Sequence, residues 1–323
     1  MTLSGLAHGK LAHGKPVLAL EEAAQELAGK LPALLVEARR VAATVAQGTH
    51  GRRRVGPGET FWQYRGFAAG DSASLIDWRR SAGSSHLFVR EREWEAAHTV
   101  WIWIDLSPSM YFRSHLSAVS KAERAVVLAL ALASLLSGAG ERVGIPGLME
   151  AKAGHNTASL MIEALARSPA FLKSLPEGSS RLGRYSELVI LSDFLEPEEK
   201  LCKAFGGFAR QVVRGHILQI LDPAEESLPY DGRVEFIDEE TATRYVAGRA
   251  EALRTEYRKR LAAHKAAIAG YASRLGWTPF LHHTGRPAVE ALLPLHMHLS
   301  GLEKAYRAKG TIQGQLGTGG FLS

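Results

Sequence analysis

Hydrophobic residues in this chain follow two different periods. Val100, Trp101, Ile102, Trp103 and Ile104 form one continuous apolar run, and Leu188, Val189, Ile190 and Leu191 form another. Runs of this length bounded by turns fit central parallel strands covered on both faces. Val213 to Leu221 reads as a further strand ending at Asp222, Thr278 to His282 as a last one, and Arg142 to Leu148 as a short one whose Pro146 suits an edge or a strand end. Between them the period becomes helical, over Ala122 to Leu136 (closed by Gly138 and Gly140), Ala158 to Ala166, Pro197 to Gln211 and Ala288 to Leu299. Strands alternating with helices imply a parallel sheet with helices on both faces. The expected fold is α/β, a doubly wound, mostly parallel sheet over residues 98–300.

Segments flanking this alternation have other patterns. Residues 1–50 divide into a tail and a helix. The tail holds a tandem duplication, Leu6 to Lys10 and Leu11 to Lys15, and the helix spans 19–46 with Leu20, Ala24, Leu27, Leu31, Leu34, Leu35 and Val41 near helical spacing. Pro32 marks a break or a new first turn there. The duplication creates a formal G-x-x-x-x-G-K, but no strand precedes it and Pro16 stands where a phosphate-binding loop needs a hydroxyl. Gly48, Gly51, Gly56, Pro57 and Gly58 link this part to a basic and aromatic segment at 51–97. Near 230–275 an insertion is expected: strands Val234 to Ile237 and Thr243 to Val246 joined by an acidic turn, then a long helix. That helix carries Ala250, Leu253, Tyr257, Leu261, His264, Ile268, Tyr271 and Leu275 on one stripe. Residues 301–323 read as a flexible tail.

Composition narrows the class. The chain has 323 residues, 46% of them hydrophobic, enough for a large core. No stretch reaches the roughly 20 uninterrupted apolar residues of a membrane span, and Met1 to Lys15 has no sustained apolar core, so a cytoplasmic protein is expected. Cys202 is the only cysteine, which excludes an internal disulfide or a thiolate cluster. His282-His283 and His296-x-His298 lack the accompanying ligands of a zinc site.

The candidate chemistry sits where the first strong strand ends. Asp105, Ser107 and Ser109 fall at its carboxyl end, the edge at which open α/β sheets bind ligands. One carboxylate and two hydroxyls on one loop suit a hard cation such as Mg²⁺, with Mn²⁺ or Ca²⁺ as alternatives. The competing reading is a Ser/Pro turn with Asp105 as its cap. Asp193 lies at the same edge, after Leu188 to Leu191, where it serves the site or caps the turn before Pro197.

These residues carry a family resemblance. Asp105, Ser107, Ser109 and Met110 match the D-x-S-x-S-M signature of von Willebrand factor type A domains, whose metal-ion-dependent adhesion site uses those side chains. Upstream, Arg65-Gly66-Phe67-Ala68-Ala69-Gly70-Asp71, Ile76-Asp77-Trp78-Arg79 and Leu87-Phe88-Val89-Arg90-Glu91 resemble the bacterial domain-of-unknown-function 58 family. Gly83 and Ser72 depart from the family pattern, which often has Arg and Asp there. The resemblance implies a von Willebrand A-like, Rossmann-type fold and a metal held by Ser107, Ser109 and Thr157, with Asp105 and Asp193 behind them. Thr157 equally fits a helix N-cap. As partners the resemblance implies a MoxR-type AAA ATPase and an unknown client protein.

Two functional classes follow. One is a non-enzymatic interaction module whose metal keeps an open position for a partner's acid. The other is an Mg²⁺-dependent phosphatase-like enzyme with Asp105 as nucleophile. Ser107 stands where such an enzyme carries its second Asp, and a serine cannot act as a general acid near neutral pH. The module is therefore the preferred reading.

The net charge of +6 raises nucleic acid as a third possibility. Arg52 to Arg54, Arg79, Arg80, Arg90 and Arg92 lie close to Trp62, Tyr64, Phe67, Trp78 and Trp94, but also to Asp71, Asp77, Glu91, Glu93 and Glu95. An internal Arg/acid network with buried Trp rings is expected instead. Thermal melts of Asp77→Ala and Arg90→Ala beside a salt-titrated nucleic-acid binding assay separate the two. Lowered melting is expected, by about 3–5 kcal/mol where a buried pair loses one partner; unchanged melting with lost, steeply salt-dependent binding would reverse the assignment.

Overall fold

The computed structural model describes residues 16–49, 60–68, 71–84, 86–93, 98–167, 175–176, 182–211, 213–238, 240–241 and 243–300. The tandem duplication, Arg52 to Arg54, Trp94 and the 301–323 tail lie outside them, as do the side chains of Trp62, Arg90 and Arg92.

Six strands form the main sheet: β3 (Thr99–Ile104), β4 (Arg142–Ile145), β5 (Met149–Lys152), β6 (Glu187–Ser192), β7 (Arg214–Leu221) and β10 (Thr278–His283). Their order is β10-β7-β6-β3-β4-β5, and every pairing is parallel except that of β5 with β4. The mixed α/β architecture with a mostly parallel sheet thus agrees with the expectation. The antiparallel β5 was not anticipated: β4 ends in a tight turn at Gly147 (φ 73°), and Met149 pairs back on Ile145. A strand of four residues is too short for its alternation to stand out.

The alternating direction of side chains along each strand builds two cores. Ile102, Ile104, Val189, Leu191, Leu218 and Ile220 point to one face, beneath α1 (Pro16–Thr49), α3 (Lys121–Gly138), α4 (Thr157–Arg167) and α8 (Val289–Leu299). Trp103, Leu188, Ile190 and Ile217 point to the other, where α5 (Glu198–Ala209) and α7 (Ala250–Arg274) bring Phe205, Phe208 and Ile268. Helix α3 is buried nearly all round and starts at a reciprocal capping box between Ser120 and Glu123. None of the helices among the described residues is long and apolar enough to cross a membrane.

Helix α1 runs unbroken through Pro32, where the sequence suggested a break. Pro32 is exposed, while Leu27, Leu31, Leu34, Ala38, Ala42 and Val45 line the buried side. Burying each large member of that stripe stabilises by about 1.5–3 kcal/mol, which offsets the roughly 3 kcal/mol cost of an interior proline. Lys30 further ties α1 to α3 through Glu123, at 2.7 Å.

The segment before the sheet forms its own unit: β1 (Thr60–Gly66) pairs with β2 (Phe88–Glu93), and α2 (Trp78–Ser81) lies between them in sequence. Asp71 accepts two bonds from the Arg65 guanidinium (2.7 and 3.0 Å) and one from Ala68 N. These donors hold its pKa down, to about 2. Asp77 caps α2 by accepting from Arg80 N and also accepts from Tyr64 Oη, while Arg80 stacks 5.0 Å from the Tyr64 ring. The acids pair as expected. Trp78 does not follow expectation, being 63% exposed. A four-residue helix buries one side only, and here that side is Ser81, which accepts from Phe88 N.

The insertion matches its forecast, with β8 (Val234–Ile237) antiparallel to β9 (Arg244–Ala247), followed by α7. Phe236, Ala247, Tyr257 and Leu261 share a small core with Leu195, Leu221 and Leu228. A short helix, α6 (Pro223–Ser227), precedes it.

Gly215 on β7 is required by close packing. A Cβ there would lie 1.8 Å from Trp277 Cδ2. Gly215→Ala is expected to lower stability by about 1–3 kcal/mol, as overpacked cores do; a chemical melt with an unchanged midpoint would show that Trp277 moves aside freely.

Candidate functional site

A parallel sheet collects the carboxyl ends of its strands on one edge, and here that edge is acidic. Asp105 follows β3, Asp193 follows β6 and Asp222 follows β7. All three are buried. Asp105 N donates to Leu191 O (2.9 Å), which fastens the β3 loop to β6.

The two oxygens of Asp105 are both engaged. Oδ1 accepts from Ser107 N (2.8 Å) and Oδ2 from the Ser192 hydroxyl (2.6 Å). The Ser107 side chain also favours the ionised form of this carboxylate, and the Ser109 side chain that of Asp193. Ser107 Oγ and Ser109 Oγ lie 3.4 Å apart on a single 3-10 turn, Pro108–Tyr111 and its cap. Burial, and then the neighbouring charge of Asp193, push the Asp105 carboxyl well above its ordinary pKa. Burial and the same Asp105 charge raise the Tyr111 phenol to about 12.

Asp193 is held by a different partner. Lys121, the first residue of α3, has no exposed surface and places its ammonium 2.8 Å from Asp193 Oδ2 and 2.5 Å from Glu225 Oε1. Burial alone would depress this lysine, and the helix N-terminus also disfavours a cation. The two carboxylates outweigh both and raise its pKa. Burial opposes ionisation of Asp193 too, yet Lys121 keeps its pKa low. Glu225 goes the other way: burial, with the charge of Asp193, takes its pKa to about 7 despite Lys121.

The surrounding backbone is specialised. Phe194 sits at φ 51°, in the left-handed region. Ser192 Oγ accepts from Phe194 N (3.1 Å) and His264 Nε2 contacts Phe194 O (2.7 Å), so the strained residue is braced on both sides. Asp222 caps α6 and accepts from the Ser114 hydroxyl at 2.5 Å. Tyr257 Oη donates to Glu225 O (2.6 Å), which anchors the long helix to the same edge. From the insertion, Glu240 reaches the β3 loop and accepts from Ser109 N at 3.2 Å.

Of the residues expected from sequence, Asp105, Ser107 and Ser109 are thus linked by hydrogen bonds, and Asp193 lies close enough for its charge to act on Asp105. Thr157 is buried as the first residue of α4 with its hydroxyl donated to Gly154 O (2.6 Å), a turn contact in place of the N-cap acceptor role that its position also suggested. Sequence reasoning missed Lys121, Ser192, Glu225 and Glu240. Lys121 offered one signal, a lysine opening a helix that is apolar from Ala125 to Ala133. The histidines behave as core groups: burial drives His282 down to about 3, and His216 packs edge-on to His298 at 5.3 Å. Among the described residues no group of three His, Cys, Asp or Glu forms a metal cluster.

Fold and site together define an α/β protein with a buried, charged hydrogen-bond network at the carboxyl edge of a mostly parallel sheet. Residues 63–267 match the family described as Protein of unknown function DUF58, and the chain belongs to that family. Uncharacterized proteins of Mycobacterium bovis and Mycobacterium tuberculosis are 27% identical over 262 residues, covering 76% of this chain and 80% of theirs. Among solved structures, an aerotolerance-related membrane protein from Bacteroides fragilis aligns at 16% identity and a TM-score of 0.37, over 61% of this chain and 96% of its own. The conserved hypothetical protein BatB from Bacteroides thetaiotaomicron aligns at 17% identity and a TM-score of 0.29, over 56% and 99% of the two chains.

The charge network makes stability depend on pH. Between the ordinary carboxyl pKa of 4.5 and about 7 the folded chain retains a proton on Glu225 that the unfolded chain has lost, so this group's contribution falls as pH rises through the window. His282, depressed from 6.5 to about 3, acts in the opposite sense below about 6.5, so wild type is compared with Glu225→Gln rather than with itself. Urea midpoints in EDTA at about pH 5 and pH 7.5 should show wild type losing more stability than the variant over that interval. Parallel pH profiles would mean that Glu225 ionises normally.

Proposed function

We propose that this protein is a non-enzymatic, metal-dependent interaction module of von Willebrand A-like type. In this reading it serves as an adaptor or client-recognition partner of a MoxR-type AAA ATPase. The observation that carries the metal part is a pair of hydroxyls, Ser107 Oγ and Ser109 Oγ, 3.4 Å apart on one turn beside the Asp105 carboxylate, which accepts from Ser107 N at 2.8 Å. Oxygen lone pairs beside a carboxylate are what a hard cation selects.

Local charge agrees with a cation. The carboxyl groups of Asp105 and Asp193 repel one another at this edge, Asp193 and Glu225 share the Lys121 ammonium, and Glu240 joins from the hairpin turn. Ser107 and Ser109 would hold the ion directly, with Asp105 behind them. Asp193 is already paired with Lys121, so its part is to set the charge beside Asp105. The hydroxyl of Thr157 is turned to Gly154, and Thr157 is not needed for this donor set. When bound, Mg²⁺ or Mn²⁺ supplies a fixed positive charge with an open position for a partner's carboxylate. The family resemblance supports the ATPase and the client as partners.

The phosphatase-like reading has less support. A nucleophilic Asp has to be ionised and free to attack, whereas the Asp105 carboxyl is raised in pKa and has both oxygens engaged as hydrogen-bond acceptors. The nucleic-acid reading is weakened by Arg65 and Arg80, which are engaged by Asp71 and Tyr64.

Isothermal titration with Mn²⁺ tests the proposal. Saturable binding is expected in wild type, with at least a tenfold loss in the isosteric Asp105→Asn, the scale of an altered ligand support. Absence of uptake at millimolar metal in a folded wild type would end the metal reading. Metal-dependent phosphoester turnover that disappears in Asp105→Asn would restore the enzyme.

A further inference from the structure

The Asp105 loop is in contact with an acid from a remote part of its own chain. Glu240 lies in the turn between β8 and β9, 131 positions from Ser109, and its Oε1 accepts from Ser109 N at 3.2 Å. It therefore sits on the loop whose two serines the proposed module offers to a cation.

The turn is built to present this side chain. Asp238, 3% exposed, accepts from Glu240 N (2.9 Å) and from Thr241 N (3.3 Å), fixing the backbone on either side. Phe236 and Ala247 anchor the hairpin in the small core shared with α7. The carboxylate itself is less comfortable. It is partly desolvated and faces the negative charges of Asp193 and Glu196. An acid held by one backbone donor against like charges is retained by its tether more than by its own affinity, so an untethered acid of similar shape meets the same donor.

We infer that Glu240 is an internal ligand of the Asp105 loop, a latch that occupies the place of a partner's acidic side chain and that such a side chain displaces. This deepens the reading of the site as a carboxylate-binding module and rests on it for the identity of the partner's group. The hairpin then sets the threshold for binding: a single weak acid does not open it, and a partner with further contacts does.

The test uses the full chain as wild type, Glu240→Ala and Glu240→Gln. In metal-free hydrogen exchange, the peptides covering 105–111 and 234–247 should exchange roughly tenfold faster in both variants, the scale of one lost charge-assisted hydrogen bond, with β6 unchanged. In the second readout, glutarate is titrated in excess Mg²⁺ while the Ser109 amide is followed by NMR. Glutarate should shift that amide at roughly tenfold lower concentration in Glu240→Ala than in wild type, since the internal competitor is gone. Exchange at wild-type rates in both variants overturns the latch. An equal glutarate response in the two chains, including none in either, overturns the competition. A wild type that takes up no Mn²⁺ while both readouts behave as expected retains the latch and loses only the metal.

Discussion

An ammonium group with no access to water sits between two carboxylates at the carboxyl edge of the sheet, and the geometry of that edge follows from it. Removing charges from water costs several kcal/mol per ion unless each finds partners. Lys121 meets this condition by joining three elements: its own helix α3, the turn after β6 through Asp193, and α6 through Glu225. Asp193, once fixed, accepts from Leu195 N and sets the charge beside Asp105; Ser109 and Ser107 lie side by side; Ser107 and Ser192 close on Asp105. The strained backbone at Phe194 lies within this network. A weaker anchor at Lys121 would leave each later link with a choice of arrangements.

The same network explains why a soluble-looking polar loop is so deeply buried. Asp105 and Lys121 each have 0% exposure, and Ser107 has 1%. Polar groups reach this depth only when hydrogen bonds replace water. The insertion contributes from outside: α7 braces Glu225 and Phe194 through Tyr257 and His264, and the hairpin turn brings Glu240. The 230–275 segment is thus a support of the carboxyl edge as well as an added lobe.

How far the sequence alone carried the interpretation depended on distance along the chain. Strands β3 and β6 are legible because their apolar runs are continuous, β7 because Ile217, Leu218, Ile220 and Leu221 end at an acid in the same way, and Asp105, Ser107, Ser109 and Asp193 because each follows such a run by a few positions. The hairpin and long helix of the insertion were legible from alternation and a helical stripe. Strand β5 was not, since four residues, with Met149 and Ala151 inward, do not make a pattern. Pro32 misled because its local rule is overridden by packing along the whole of α1. Lys121, Glu225 and Glu240 stayed hidden because their significance lies in partners 72 to 131 positions away, and a pattern read along one dimension does not bring them together. Trp78 was misjudged for the reverse reason: an aromatic beside paired charges was taken as core, although its helix is too short to turn it inward.

Helix α1 also bears on how the protein is made. It packs on α3 and α4, but also on α8, whose last residue is Leu299. A ribosome delivers these helices in order, so the first one emerges with an apolar stripe whose final partner is not yet translated. Contacts of such long sequence separation form slowly and leave hydrophobic surface exposed in the meantime. The apolar stripe of α1 therefore lacks its α8 partner until the chain has been made as far as Leu299.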